Sequence, residues 1–229
     1  MSELSDYDNV IDSLIDSGYK EEFCVADSFE VPVIRSLMEA GFLVMSFQNG
    51  EALLLPKLHW ERSVLFFKDL HIPKSLKSRL HTYTLKLFDS LQPIIEACID
   101  AHGDEWLTEP LVKALIKLDP RLHSDQNDIP QRAFCSAFGL YKNNKLVAGE
   151  FGVFCGGVYT SYSGFYWESN AGTIQMVLTA RFLEASGFAF WDLGMPMDYK
   201  SRLGAVSLAR PHFIKLFREA RLVRPLLSV

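Results

Sequence analysis

A chain of 229 residues with 48% hydrophobic and 22% charged side chains fits an ordinary globular protein with one large domain or two unequal ones. Its formal net charge of −5 excludes a global field that would draw it to nucleic acid, so any RNA contact needs a local basic patch. Four scattered cysteines (Cys24, Cys98, Cys135, Cys155) without a C-x-x-C pair argue against a disulfide frame or zinc site, and no apolar run approaches the roughly 20 residues that span a bilayer. The acidic start, Met1 to Asp16, has no signal-like character, and the expectation is a cytoplasmic protein with reduced thiols and no membrane contact.

In chain order, Asp6 to Ser17 carries Val10, Ile11, Leu14 and Ile15 at helical spacing, and a second helix over Val31–Ala40 stops at Gly41. Two apolar arms around Gln48-Asn49-Gly50 predict a hairpin from Phe42 to Leu55, closed by Pro56 and followed by a strand at Ser63–Phe67. His71 to Arg79 is a short basic helix with Pro73 in its first turn; Arg62 and Lys68 stand nearby in sequence. Tyr83–Phe88 is strand-like, Leu91–Ala101 and Glu109–Leu118 are helical, and polar Asp119–Pro130 reads as a loop. Leu140–Gly149 is a second hairpin with an Asn143-Asn144 tip; its second arm runs on to Phe154 and turns at Gly156-Gly157 into Val158–Ser163. Asn170 caps a helix through Ala185, Phe188–Leu193 is a buried strand, and Pro211–Ala220 is the last helix.

The glycines of 149–157 spell neither G-x-G-x-x-G nor a phosphate-binding P-loop. G-x-S-x-G is absent, and six histidines fall at no metal-ligand spacing. Asp192, ending an apolar run, is the strongest single candidate: a buried carboxylate is either a chemical group or a clamp, for instance on the backbone of Gly194. Glu150 interrupts another apolar arm, and strand alternation leaves it free to face a cavity or solvent. The aromatic set Tyr159, Tyr162, Phe165, Tyr166 and Trp167 divides between core and a possible pocket wall. Lys74, Lys77 and Arg79 are either a solvated face or a phosphate site.

Lys145-Leu146-Val147-Ala148-Gly149, Gly152-Val153, Ser163, Phe165, Asn170-Ala171, Gly187, Asp192 and Ser201-Arg202-Leu203-Gly204-Ala205 together resemble the leucyl/phenylalanyl-tRNA–protein transferase family. Leu70-His71-Ile72, Trp106-Leu107-Thr108 and Pro56 extend the likeness upstream, so that about Asp27 to Arg221 is collinear with it. The resemblance implies an α+β protein with a small N-terminal domain (1–66) and a larger Gcn5-related acyltransferase-type mixed-sheet domain (67–229). It implies transfer of an amino acid from charged tRNA to the N-terminal amine of a protein or peptide, with neither metal nor cofactor. Lys74, Lys77 and Arg79 would contact the acceptor stem, and Trp106 would face the terminal adenosine. Asp192 would orient the reacting centre with Tyr162, Ser163 and Glu150 around it, and Tyr159, Phe165 and Trp191 would wall the aminoacyl pocket.

Three places depart from the family's spelling: its functional glutamate is here Tyr162, its functional glutamine is Gly194, and its Gly-Ile-Phe-Pro-Trp turn is Gly41-Phe42-Leu43-Val44-Met45, without the tryptophan. Glu150 falls where the family has a bulky apolar residue of that pocket, so it either accepts the amine's proton or selects a polar or basic aminoacyl group. Two other readings stay open: an acyltransferase using a thioester donor, and a binder of tRNA or N-termini without catalysis.

Overall fold

Residues 3–26, 28–88, 90–119 and 133–226 are described by the computed structural model. The expected loop at 119–130 therefore lies outside the described residues, apart from Asp119. Helix α1 (Glu3–Asp16) buries Ile11, and α2 (Val31–Ala40) buries Ile34, Leu37 and Met38 along one side. Pro32 occupies the first turn of α2, where a missing N–H costs nothing, and the chain turns away at Gly41 with Phe42 N–H donating to Leu37 O. Strands β1 (Leu43–Asn49) and β2 (Glu51–Lys57) form the expected hairpin, and bridges at Phe23–Lys57 and Ala26–Leu54 line its outer edge.

Strand β3 (Glu61–Leu65), which chain order counts with this first unit, hydrogen-bonds inside the larger sheet, between two strands that arrive more than 120 residues later. The remaining elements follow as α3 (Lys74–Lys77), β4 (Thr84–Leu87), α4 (Gln92–His102), α5 (Glu109–Lys117), β5 (Phe134–Lys142), β6 (Lys145–Cys155), β7 (Val158–Tyr166), α6 (Ala171–Ala185), β8 (Phe190–Asp192), α7 (Asp198–Arg202), β9 (Val206–Ala209) and α8 (Arg210–Ala220). The large sheet runs β4-β5-β6-β7-β8-β3-β9, antiparallel throughout except where β7 and β8 pair parallel. The α+β expectation with a mixed sheet is therefore met. Helix α6 is the crossover that a parallel pair requires. Asn170 precedes it in a left-handed conformation and its side chain accepts no capping bond from the first-turn N–H groups, so its role is the turn rather than the cap.

Pleating divides the sheet's side chains between two cores. One face, covered by α2, α4, α8 and β1–β2, carries Phe151, Val153, Cys155, Val158 and Phe190 into a cluster with Ile34, Val44, Ile94 and Phe213. The other, under α6, carries Phe138, Phe154, Tyr159 and Trp191 to meet Ala180 and Leu183. No helix among the described residues is long and apolar enough to cross a membrane.

Candidate active site at the β7–β8 splay

The parallel pairing of β7 with β8 covers only Val158–Phe190, Tyr159–Trp191 and Thr160–Asp192. Beyond it β7 continues to Tyr166 alongside β6, while the chain after Asp192 turns into the loop before α7, so the two strands part. Crevices outside the carboxyl ends of parallel strands are where open sheets place ligands, because backbone groups there lack a neighbouring strand. Asp192, Tyr162, Ser163 and Gly194 all fall at this divergence.

Asp192 is fully buried and fully engaged. Arg62 Nε donates to both carboxylate oxygens at 3.1 and 3.2 Å, and Arg62 Nη2 stands 3.0 Å from Oδ2. Thr160 Oγ1 donates to Oδ2 at 3.0 Å, and the Gly194 N–H to Oδ1 at 2.9 Å. The clamp on Gly194 is thus present. Arg62 in turn donates to Gly41 O at 3.3 Å, stands 2.6 Å from His59 Nδ1 and lies over the Phe213 ring, 4.7 Å from its centroid. Buried and occupied, Arg62 does not belong to the basic surface that its nearness in sequence to Lys74 suggested. Burial, the Arg62 guanidinium and neighbouring Lys57, Lys200 and Arg210 push His59 down to about 2, so its ring is neutral.

Tyr162 lies on the same face. Its hydroxyl accepts the Val44 N–H at 3.0 Å, tying β1 to the large sheet, and burial raises its pKa further above the ordinary phenol value. Its ring packs with those of Trp106 and Phe151, with centroids 6.0–6.4 Å apart in the trio. Trp106 is held by its carbonyl, which accepts from Ser46 N–H and Oγ at 3.1 and 2.9 Å. Ser163 Oγ interacts with the Cys98 thiol on α4. Phe165 packs against Gly149 and Ile94, away from Tyr159 and Trp191, whose rings are 6.0 Å apart in the α6-side core. The three aromatic residues expected to wall one pocket therefore divide between the two faces.

Glu150 points inward on the α6 side, opposite Asp192. Its Oε2 accepts Ser161 Oγ–H at 2.9 Å, and Ser161 Oγ accepts Trp191 Nε1–H at 2.8 Å, a chain that bridges β6, β7 and β8 at the mouth of the splay. Burial pushes its carboxyl up to about 7, moderated by Ser161, Thr179 and Gln175, although Glu150 Oε1 and Thr179 Oγ1 themselves lie outside hydrogen-bond geometry. Of the groups here, this carboxyl changes charge nearest neutral pH. Lys200, lowered to about 8 mainly by burial, donates to Leu193 O and Met195 O at 2.5 and 2.8 Å, which fixes the loop after β8.

Lys74 and Lys77 are exposed on the four-residue α3, Arg79 is half-buried just after it, and Arg79's charge acts on the Glu168 carboxylate. Sequence reasoning missed Arg62, His59 and Lys200 as parts of this region. An arginine in a strand that otherwise runs Ser63-Val64-Leu65 into the core was the available signal for the first; a lone lysine in Asp198–Arg202 offered none. Among the described residues no group of three His, Cys, Asp or Glu side chains could hold a metal ion.

The sequence model of the leucyl/phenylalanyl-tRNA protein transferase family matches residues 64–218, most of the chain and both strands of the splay. The chain belongs to this family. Relatives within the leucyl/phenylalanyl-tRNA–protein transferase family include the enzyme of Pseudomonas fluorescens, 29% identical over 181 residues (76% of this chain and 74% of the relative). Another is that of Campylobacter jejuni subsp. doylei, 24% identical over 187 residues (80% and 81%). Among solved structures, FemX aligns over 93% of this chain and 80% of its own, at TM-score 0.43 and 12% identity. A GCN5-related N-acetyltransferase from Kribbella flavida aligns over 77% and 60%, at TM-score 0.37 and 15% identity. Tyr162 and Gly194, where the resemblance implied a glutamate and a glutamine in the family, are hydrogen-bonded here to Val44 and Asp192 respectively.

Proposed function

We propose that this chain is an aminoacyl-tRNA-dependent transferase that moves an amino acid from the 3′ end of a charged tRNA onto the N-terminal amine of a protein or peptide. The family match over the splay carries this reading. The chemistry is modest: the amine nitrogen attacks the ester carbonyl, the C–N bond forms, the C–O bond to the ribose breaks, and the amine's proton ends on the departing oxygen. Because the ester is already activated, holding the two reactants in line supplies much of the acceleration. A metal is not required for such an exchange.

In this reading Asp192 is a positioning residue. Its carboxylate, locked by Arg62 and Thr160, fixes the Gly194 backbone at one lip of the crevice. Tyr162, a poor base with its raised pKa, fixes the other lip against β1. Trp106, tilted 38° to it and stacked on Phe151, offers a flat aromatic face of the kind on which a nucleobase rests. Lys74, Lys77 and Arg79 supply the local positive charge that the acceptor stem needs.

Incubating the protein with a mixed pool of charged tRNAs and a model acceptor peptide, followed by intact mass measurement, tests the reading. A peptide heavier by one aminoacyl residue is expected. Unmodified peptide with intact charged tRNA, across acceptors differing in their first residue, would overturn it in favour of a thioester donor or a binding-only protein.

A further inference from the structure

Three buried oxygens near the mouth of the splay have no hydrogen-bond partner: Glu150 Oε1, Tyr159 Oη and Thr179 Oγ1. Glu150 is 7% exposed, and Tyr159 and Thr179 are 0% exposed. They belong to one neighbourhood. Thr179 and Gln175, one turn apart on α6, lie close enough to Glu150 to moderate its proton affinity, and the Glu150 charge acts on the Tyr159 phenol. Buried polar atoms are almost always paired in folded proteins, so this carboxylate oxygen and the two hydroxyls near it mark a vacancy for a partner.

The surroundings favour a partner that enters from the crevice. Ser161, which holds Glu150 Oε2, is half-exposed, and Gly164, directly opposite Glu150 on β7, is exposed. A Cβ at position 164 would stand 3.1 Å from the Cβ of Glu150, so glycine keeps this approach open. The rings of Tyr159 and Trp191 stand beside it. A carboxylate, two hydroxyls and a carboxamide between aromatic walls complement a group with several N–H donors and a positive charge. An aliphatic or phenyl group in the same place would leave the carboxylate desolvated and unpaired.

We propose that the cluster of Glu150, Ser161, Thr179 and Gln175 selects the aminoacyl side chain of the donor, and that this side chain is cationic, that of lysine or arginine. The inference rests on the transferase reading above. Glu150 then touches the substrate away from the scissile ester and sets which amino acid is transferred.

Lysyl-, arginyl-, leucyl- and phenylalanyl-tRNA, supplied singly with one acceptor peptide, should give product from the cationic donors at least about a hundredfold faster, since sites built to bind a polar group reject analogues lacking it. Glu150→Leu should shift the preference toward leucyl and phenylalanyl donors, and the isosteric Glu150→Gln should lower it while keeping the fold. Equal or faster transfer of leucine or phenylalanine by the native chain overturns the inference, as does a preference indifferent to both variants.

Amide-linked lysyl- and phenylalanyl-adenosine, titrated calorimetrically into the same protein, separate the two readings. No transfer from any tRNA, with tighter lysyl-adenosine binding that Glu150→Gln abolishes, would end the transferase reading and leave the pocket as inferred. Equal binding of both analogues, tighter phenylalanyl binding, or no binding of either would end the pocket.

Discussion

Arg62 and Asp192 show how much of this site depends on two residues that satisfy one another. Both are buried, and each supplies the other's counter-charge. Removing one partner of such a pair leaves an uncompensated ion, at a cost of about 3–5 kcal/mol. Arg62→Met should lower the urea midpoint accordingly, and an effect below about 1 kcal/mol would show the pair to be dispensable. Glu150 makes a pH-dependent prediction. Its carboxyl titrates at about 7 when folded, against an ordinary value of 4.5. Between those values the folded chain keeps a proton that the unfolded chain has lost. Stability therefore falls as pH rises through that window, by about 3 kcal/mol at most. Glu150→Gln should be more stable than the native chain at pH 8, with the gap shrinking toward pH 5. Urea midpoints at both pH values measure this, and an equal gap at each would refute it. Neutral His59, whose contribution is lost as pH falls below 6.5, is common to both proteins and cancels. Asp192 was legible in the sequence as a carboxylate ending an apolar run. Its partner, 130 residues away, was not, because ion pairing across a sheet leaves no local pattern.

At the level of elements, what was punctuated locally was readable. Asn143 and Asn144, both at positive φ (50° and 62°), make the two-residue turn of β5–β6, and prolines near the starts of α2, α4, α5 and α8 mark their first turns. Partner choice was not readable. Residues 61–65 are strand-like in any sheet, and only the late arrival of β8 and β9 places β3 between them. The splay is likewise a consequence of lengths, with β8 ending after three residues while β7 continues. The β6–β7 turn shows how tightly these elements are fitted. Gly156 has φ +53°, and a Cβ there would lie 1.9 Å from the Arg221 carbonyl oxygen at the end of α8. Gly50 in the β1–β2 turn has φ +89° with nothing within 4 Å. Gly156→Ala should therefore destabilise by about 3 kcal/mol or more, combining strain with overpacking, whereas Gly50→Ala bears only the backbone term of about 1–2 kcal/mol. Thermal unfolding of the two variants side by side checks this, and equal losses would mean that α8 yields easily.

Over the whole molecule, an excess of acidic charge has to coexist with a polyanionic substrate. The net −5 offers tRNA no general attraction, so the encounter must be guided locally. The proposed contact set is uneven. Arg79 is half-buried and acts on Glu168, a carboxylate that also accepts from Lys142 and Tyr83. Lys74 and Lys77 are exposed and, among the described residues, neither forms a salt bridge. Phosphate contacts release condensed cations, so each lost contact flattens the dependence of log K on log salt by about 0.7–0.9. Replacing Lys74 and Lys77 together by Ala should weaken tRNA binding at 50 mM salt and flatten that slope by about 1.4 to 1.8, whatever amino acid the tRNA carries. Arg79→Ala should flatten it by less than one contact's worth, because Glu168 already neutralises part of its charge. Neither change touches the β7–β8 splay, so the ratio of rates for different donors should stay as in the native chain. An unchanged salt slope in the double variant would remove α3 from the tRNA path and move the search for phosphate contacts to another face.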